Sequence, residues 1–343
     1  MIIKSIKLNN FRCHDEFVFD FKKQTSVIVG ENGSGKTSVL EAIYEALRGK
    51  SFRAVDQEIL KRESDFYRIE VNFQSGEKTV VAFSNMNESG VFKKQFLVGG
   101  KKYLRLPKNN KYPIVLFLPD DLHLIGSSPT SKRSFFDRVL SELNDNYMTI
   151  LNRYEKTLKQ RNDLLKKYTE EQISEVRNLI FSWNLLLAKY GVEIRAERKK
   201  FISELNQRLT GVYRSIADNS DEVTVSYILQ DDEASSDEYF KRLELDLRRD
   251  LIVGHTSFGV HRDNYKFIFN QKEANGSASR GEVRSIVLAM KFIEAQLIFE
   301  KTNKKPIVLL DDVFSELDEK RQKSLTRNFK DNQVIITSVE FSE

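Results

Sequence analysis

Gly30-Glu31-Asn32-Gly33-Ser34-Gly35-Lys36-Thr37 decides the fold of this chain. These residues match G-x-x-x-x-G-K-[ST] at every fixed position. An apolar run, Ser26-Val27-Ile28-Val29, leads into them, and a helical pattern, Val39, Leu40, Ile43 and Leu47, follows. Strand, glycine loop and helix in that order form a phosphate cradle. Glycines let backbone N–H groups converge on phosphate oxygens with no Cβ between them, and the helix N-terminus adds partial positive charge. On this pattern Lys36 reaches the β- and γ-phosphates of a nucleotide, and the Thr37 hydroxyl ligates Mg²⁺. Nucleotide contacts are expected along Gly30, Glu31, Asn32, Gly33, Ser34, Gly35, Lys36, Thr37 and Ser38.

Two later stretches complete such a site. Pro306-Ile307-Val308-Leu309-Leu310 is a buried-strand pattern ending in Asp311-Asp312. Asp311 is expected to hold Mg²⁺, directly or through water. Asp312 is placed to orient or deprotonate the attacking water. Upstream, Ser277-Ala278-Ser279-Arg280-Gly281-Glu282 precedes a helix over about 283–297. Ser279 with Glu282 makes a capping box. A serine, a glycine and a helix N-terminus also make an anion site. A single nucleotide site has no need of a second phosphate cradle, whereas a dimer does if each subunit presents this element to the nucleotide on the other.

The first hundred residues are strand-rich. Ile2 to Leu8 and 67–73 alternate, Thr79-Val80-Val81-Ala82-Phe83 follows, and Phe96-Leu97-Val98 and Tyr103-Leu104-Arg105-Leu106 flank Gly99-Gly100-Lys101-Lys102 as a hairpin. Pro113-Ile114-Val115-Leu116-Phe117-Leu118 predicts a buried parallel strand, as does Gln333-Val334-Ile335-Ile336-Thr337-Ser338. From about Thr130 the period turns helical. Ile173, Val176, Ile180, Trp183, Leu187, Tyr190 and Ile194 predict a packing seam, with Leu151, Tyr154, Leu158, Leu165 and Tyr168 as its antiparallel partner. His261 and Arg262 lie on a strand-like stretch and read first as structural. The acidic stretch 230–238 reads as a surface loop. An α/β nucleotide lobe built from 1–125 and 251–343, interrupted by a helical lobe over 126–250, accounts for this order.

Composition bounds the class. The 343 residues are 40% hydrophobic and 31% charged, as in globular chains on the charged side of average. No apolar run approaches the ~18 residues of a membrane span, and the alternating N-terminus does not read as a signal peptide. One cysteine, Cys13, rules out an internal disulfide framework and fits a reducing cytoplasm. One cysteine and four scattered histidines offer no zinc-ligand spacing. The net charge is +5, and residues 151–210, with 13 Lys/Arg against 8 Asp/Glu, account for all of it. A solvated helix face and a binding surface explain that window equally well.

The glycine loop, the Ser-x-Gly-Glu element, the acidic strand and Ser315-Glu316-Leu317-Asp318 resemble the ordered motif set of ABC-type ATPases. Ile3-Lys4-Ser5-Ile6-Lys7-Leu8-Asn9-Asn10-Phe11-Arg12 resembles the SMC branch. Along essentially its full length the chain is similar to the RecF family of bacterial recombination-repair proteins. This likeness lies in Lys132-Arg133-Ser134-Phe135-Phe136-Asp137-Arg138, Leu158-Lys159-Gln160-Arg161-Asn162, Gly259-Val260-His261-Arg262-Asp263 and residues 310–318. The resemblance implies an α/β, ABC/SMC-type P-loop ATPase head with an inserted helical lobe. It implies an ATP-dependent homodimer that binds double-stranded and gapped DNA, with slow, DNA-stimulated hydrolysis as a timer. It also implies work with RecO- and RecR-like mediators at single-strand gaps and stalled forks.

By the same match, Ser279, Arg280, Gly281 and Glu282 form a signature that contacts ATP in trans. Ser315 to Asp318 form the D-loop, and Arg12 lies near the phosphates. Three departures from the family pattern stand out. Glu282 replaces the usual glutamine. Thr337-Ser338 lacks the histidine of the switch. The arginine run after Pro129 is thinned to Pro129-Thr130-Ser131-Lys132-Arg133. Two other classes are an ATPase subunit of a membrane transporter and a DNA-binding protein with a vestigial nucleotide site. The SMC-like N-terminus and Asp312 argue against the first, and the complete motif set against the second.

Overall fold

The computed structural model describes residues 2–85, 92–230 and 235–339. The chain forms two compact units, Met1–Asp120 with Glu294–Glu343, and Asp121–Ile293.

The first unit holds two sheets. One is antiparallel, in the order β2-β1-β4-β5-β6-β7, from β1 (Ile3–Phe11), β2 (His14–Asp20), β4 (Phe66–Phe73), β5 (Lys78–Asn85), β6 (Phe92–Val98) and β7 (Lys101–Tyr103). Its alternating pattern buries Ile3, Ile6 and Leu8 of β1 and Tyr67, Ile69, Val71 and Phe73 of β4 on one face. The other sheet is parallel, in the order β3-β13-β12-β8, from β3 (Thr25–Val29), β8 (Ile114–Phe117), β12 (Ile307–Asp311) and β13 (Val334–Ser338). Strands β8, β12 and β13 are buried at every residue, as continuous apolar runs in parallel sheets are. Helix α1 (Lys36–Arg48) packs against β1, β4 and β5 of one sheet and β12 and β13 of the other. That placement explains why its apolar residues and both its glutamates, Glu41 and Glu45, are buried. The short α2 (Asp56–Ile59) and α10 (Glu319–Asn328) complete this unit.

The hairpin differs from expectation. Gly99 and Gly100 alone turn the chain, at φ +56° and +78°. Lys101 already pairs with Val98, and Lys102 with Leu97. A two-residue type I′ turn needs left-handed backbone at both central positions, which Gly-Gly supplies, so the lysines fall into the strand.

The second unit contains α3 (Pro129–Leu143), α4 (Asp145–Leu165), α5 (Ile173–Ala217), α6 (Ser236–Leu245), α7 (Leu247–Val253) and α8 (Ala274–Ser277). Its small antiparallel sheet, β11-β10-β9, is made of β9 (Val223–Ile228), β10 (Asn264–Phe269) and β11 (Lys272–Glu273). Helix α9 (Arg280–Thr302) starts here. This unit therefore runs past the expected end at residue 250. The pairing of β10 with β9, from Asn264 opposite Ile228 to Phe269 opposite Val223, holds 264–269 within it.

Helices α4 and α5 pack antiparallel, with Arg161 Nε donating to Asn184 Oδ1 at 2.8 Å and Asn144 Nδ2 to Glu197 Oε2 at 3.1 Å. The buried seam of α5 runs through Val176, Ile180, Asn184, Leu187, Gly191, Ile194 and Arg198. Trp183 and Tyr190, expected in it, are only half-buried. Polar residues displace them because each is paired: Arg195 with Asp263 at 3.0 Å, and Arg198 with Asp137 at 2.9 Å. Gly191 fits because a Cβ there would lie 2.5 Å from the Tyr239 ring.

His261 and Arg262 lie in a turn before β10 rather than on a strand. His261 Nε2 donates to the Thr256 carbonyl at 3.0 Å, and Nδ1 accepts from Tyr154 Oη at 2.8 Å. Burial lowers its pKa to about 4, so the ring is neutral and structural. Of the acidic stretch, residues 231–234 lie outside the described residues, and Ser235 caps α6 in a box with Glu238. Among the described residues no helix is long and apolar enough to cross a membrane.

Candidate nucleotide site

The glycine loop joins the end of β3 to the start of α1. Gly33 and Gly35 adopt φ +84° and +92°, a region that costs other residues about 1–2 kcal/mol. Gly35 is also forced by space, since a Cβ there would lie 2.4 Å from both Cys13 Sγ and His14 Nε2. Lys36 is buried and curls over its own loop, donating from Nζ to the Gly30 carbonyl at 2.6 Å and the Glu31 carbonyl at 2.8 Å. Ser38 is buried, while Glu31, Asn32, Gly33 and Ser34 are exposed.

Strand β12 delivers the acidic pair. Asp311, at its last residue and buried, accepts from Thr37 Oγ1 at 2.8 Å. Thr337 Oγ1 on β13 donates to the same carboxylate oxygen at 2.9 Å. The next residue, Asp312, sits at φ +51° with its N–H bonded to Thr337 Oγ1 at 3.0 Å. Left-handed backbone is uncommon outside glycine, asparagine and aspartate, and here it turns the chain sharply where the strand ends. Thr337 thus ties both aspartates together, a role that its lack of a neighbouring histidine hid in the sequence. A cavity of about 600 Å³ is lined by Asn32, Gly33, Gly35, Lys36, Thr37 and Ser38 from the loop and α1, and by Asp311 and Asp312.

The other wall of that cavity is basic and includes residues the motifs did not reveal. Arg12, at φ +58°, lines it together with Arg53, Lys61 and Arg62. Arg12 grips Glu41 of α1 with Nε and Nη2, at 2.9 and 2.8 Å, and Nη1 donates to the Glu58 carbonyl at 2.8 Å. Arg53 donates to the same glutamate from Nε and Nη2, at 3.1 and 2.9 Å, and Ser51 Oγ at 2.6 Å. Burial works against ionising Glu41, but hydrogen bonds from Arg12, Arg53 and Ser51 outweigh it and hold the carboxyl below its usual range. One buried carboxylate therefore fixes two arginines at the cavity. The signal in the sequence was Glu41 and Glu45, four apart in a helical stretch, 39–47, that is otherwise hydrophobic.

The signature residues lie in the second unit. Ser279 N donates to Glu282 Oε2 at 2.6 Å, and Glu282 N to Ser279 Oγ at 3.3 Å, which closes the expected capping box at the start of α9. Ser279 and Arg280 are exposed, and Gly281 and Glu282 half-buried. In the stretch after β12, Ser315 Oγ donates to the Asp312 carbonyl at 3.1 Å, and Asp318 caps α10 by accepting from Arg321 N at 2.9 Å. The first unit therefore brings Lys36, Thr37, Asp311, Asp312 and Arg12 to one cavity, and Ser279 to Glu282 stand on a separate element.

A family model described as an AAA ATPase domain matches residues 1–244. The DNA replication and repair protein RecF of Ruminiclostridium cellulolyticum is 33% identical over 350 residues, covering 98% of this chain and 92% of that protein. RecF of Clostridium acetobutylicum is 32% identical over 353 residues, with the same two coverages. Among solved structures, the recombination mediator RecF-ATP of the RecFOR pathway aligns at a TM-score of 0.83 and 28% identity, covering 100% of this chain and 93% of that one. A RecF-ATPrS structure of the same mediator gives 0.84 at 28% identity, covering 99% and 93%.

Proposed function

The chain belongs to the RecF family of DNA replication and repair proteins and carries an AAA ATPase domain, and from that premise we propose that it binds ATP with Mg²⁺ and closes as a homodimer on DNA. The observation that carries this is the 2.8 Å contact between Thr37 Oγ1 and Asp311 Oδ1, residues 274 positions apart. It brings the loop hydroxyl and the strand-end carboxylate together, as phosphoryl-transfer sites of this type require. The ATP in the similar RecF-ATP structure supports the choice of nucleotide.

Within one subunit, the backbone N–H groups of residues 33–37 and the Lys36 ammonium take the phosphates. Thr37 and Asp311 supply hard oxygen ligands of the kind Mg²⁺ accepts. Among the described residues no group of three or more His, Cys, Asp or Glu side chains could hold a metal, so the remaining ligands fall to phosphate and water. When bound, the ion neutralises charge on the β- and γ-phosphates. Asp312, turned out of the strand end, accepts the proton of the attacking water. Ser279, Arg280 and Gly281 reach the γ-phosphate held by the other subunit. The closed dimer grips double-stranded or gapped DNA until slow hydrolysis opens it. RecO- and RecR-like mediators are its partners in the cytoplasm, as the pathway named for the similar structure suggests.

One assay tests this reading: ATP hydrolysis measured with and without duplex DNA. Hydrolysis that needs Lys36 and rises with DNA is expected. No hydrolysis in either condition would leave a vestigial site, and hydrolysis indifferent to DNA would point to another ABC-type complex.

A further inference from the structure

Residues 92–112 hold seven Lys/Arg and no Asp or Glu, more positive charge than the net +5 of the whole chain. They form β6, the Gly99-Gly100 turn, β7 and the segment leading to β8. Lys94 is used internally, meeting Glu45 at 2.7 Å and Asp56 at 2.6 Å. Lys101, Lys102 and Arg105 are exposed, and with the half-buried Lys111 they make no side-chain ion pair among the described residues. A Cβ at Gly99 or Gly100 would meet nothing within 4 Å, so the turn stands clear of its surroundings. Leu104, between the cations, is 72% exposed.

Edge protection explains part of this. β7 is the last strand of its sheet, and lysines discourage pairing with another chain. That covers Lys101 and Lys102. It does not cover Arg105 and Lys111, which lie beyond the paired strand, nor the lack of any acidic residue, which an edge guard does not need. An acid-free run of cations, with Lys101, Lys102, Arg105 and Lys111 making no ion pair among the described residues, suits a polyanion whose charges repeat along a line. Lys and Arg contacts to phosphates position a protein on a duplex without reading its sequence.

We propose that the β6–β7 turn and the segment to Lys111 contact the phosphate backbone of duplex DNA. This rests on the DNA-binding function proposed above. The test neutralises Lys101→Gln, Lys102→Gln and Arg105→Gln together in the full chain, and measures affinity for duplex DNA with ATP across a salt series. A control removes equal charge from the exposed face of α4 with Arg153→Gln, Lys156→Gln and Lys159→Gln. Losing three phosphate contacts should weaken binding by roughly tenfold or more at low salt and flatten the slope of log K against log salt by up to about 2.7. The α4 control should keep the wild-type slope. Melting temperature and DNA-free ATP hydrolysis should be unchanged in both.

If the triple variant melts early, the single Arg105→Gln, outside the strand, should still flatten the slope by about 0.9. Wild-type binding by the turn variants, or an equal loss in the α4 control, would overturn the assignment. Absence of duplex binding by the unaltered chain would instead remove the DNA-binding function itself.

Discussion

Asp311 and Asp312 are neighbours held differently, and the different tasks proposed for them rest on that difference. Asp311 ends a strand with its carboxylate held by Thr37 and Thr337, whereas Asp312 turns away at φ +51°. Asp312→Asn should fold normally, because asparagine tolerates left-handed backbone well. It should still bind ATP, while turnover falls by ~10²-fold or more as general-base help is lost. Asp311→Asn should weaken nucleotide binding as well. Titrations and turnover of both variants decide this, and equal behaviour would refute the division of roles. Glu41 makes a separate prediction. Glu41→Gln loses charge-assisted bonds from two arginines, so unfolding free energy at neutral pH should drop by about 2 kcal/mol. Since the folded carboxyl titrates below its usual range, its contribution is complete above about pH 4.3 and is lost as pH falls through the depressed value. Denaturant melts should therefore show the mutant and wild type converging in acid. A constant gap across pH would mean that the charge of Glu41 is immaterial.

At the scale of elements, the glycine loop offers a contrast within six residues. Gly33 and Gly35 share left-handed backbone, but only Gly35 lacks room for a Cβ. Gly33→Ala should cost about 1 kcal/mol of stability for its backbone alone. Gly35→Ala must also displace Cys13 and His14, and should cost at least about 1 kcal/mol more, as overpacking does. Melting without nucleotide separates the two, and equal losses would contradict the tight approach of α1 to the β1–β2 connection. What the sequence disclosed follows the same line between local and non-local causes. The loop, the acidic strand end and the capping box at Ser279 are local patterns and were legible. The α5 seam was misread at Trp183 and Tyr190, because Asn184, Arg195 and Arg198 look solvent-facing until Arg161, Asp263 and Asp137 arrive from other segments. Arg53 escaped notice for the same reason, since only a helix packed between two sheets makes Glu41 a buried anchor. The boundary near residue 250 failed because antiparallel pairing of β9 with β10 crosses a gap of more than thirty residues, which periodicity does not register.

For the whole molecule, each chain carries a phosphate cradle and a separate capping element at Ser279, and the homodimer proposed above would join one from each of two copies into a complete site. Solution mass with and without ATP, measured for the wild type and for Ser279→Arg, tests this most directly. The wild type should be a monomer of 39.9 kDa without nucleotide and reach twice that mass with ATP. Ser279→Arg should bind ATP as a monomer with near wild-type affinity and stay monomeric, since bulk at the start of α9 blocks only the partner's nucleotide. A wild type that remains monomeric with saturating ATP, or a Ser279→Arg monomer that cannot bind ATP, would contradict a site shared between two subunits.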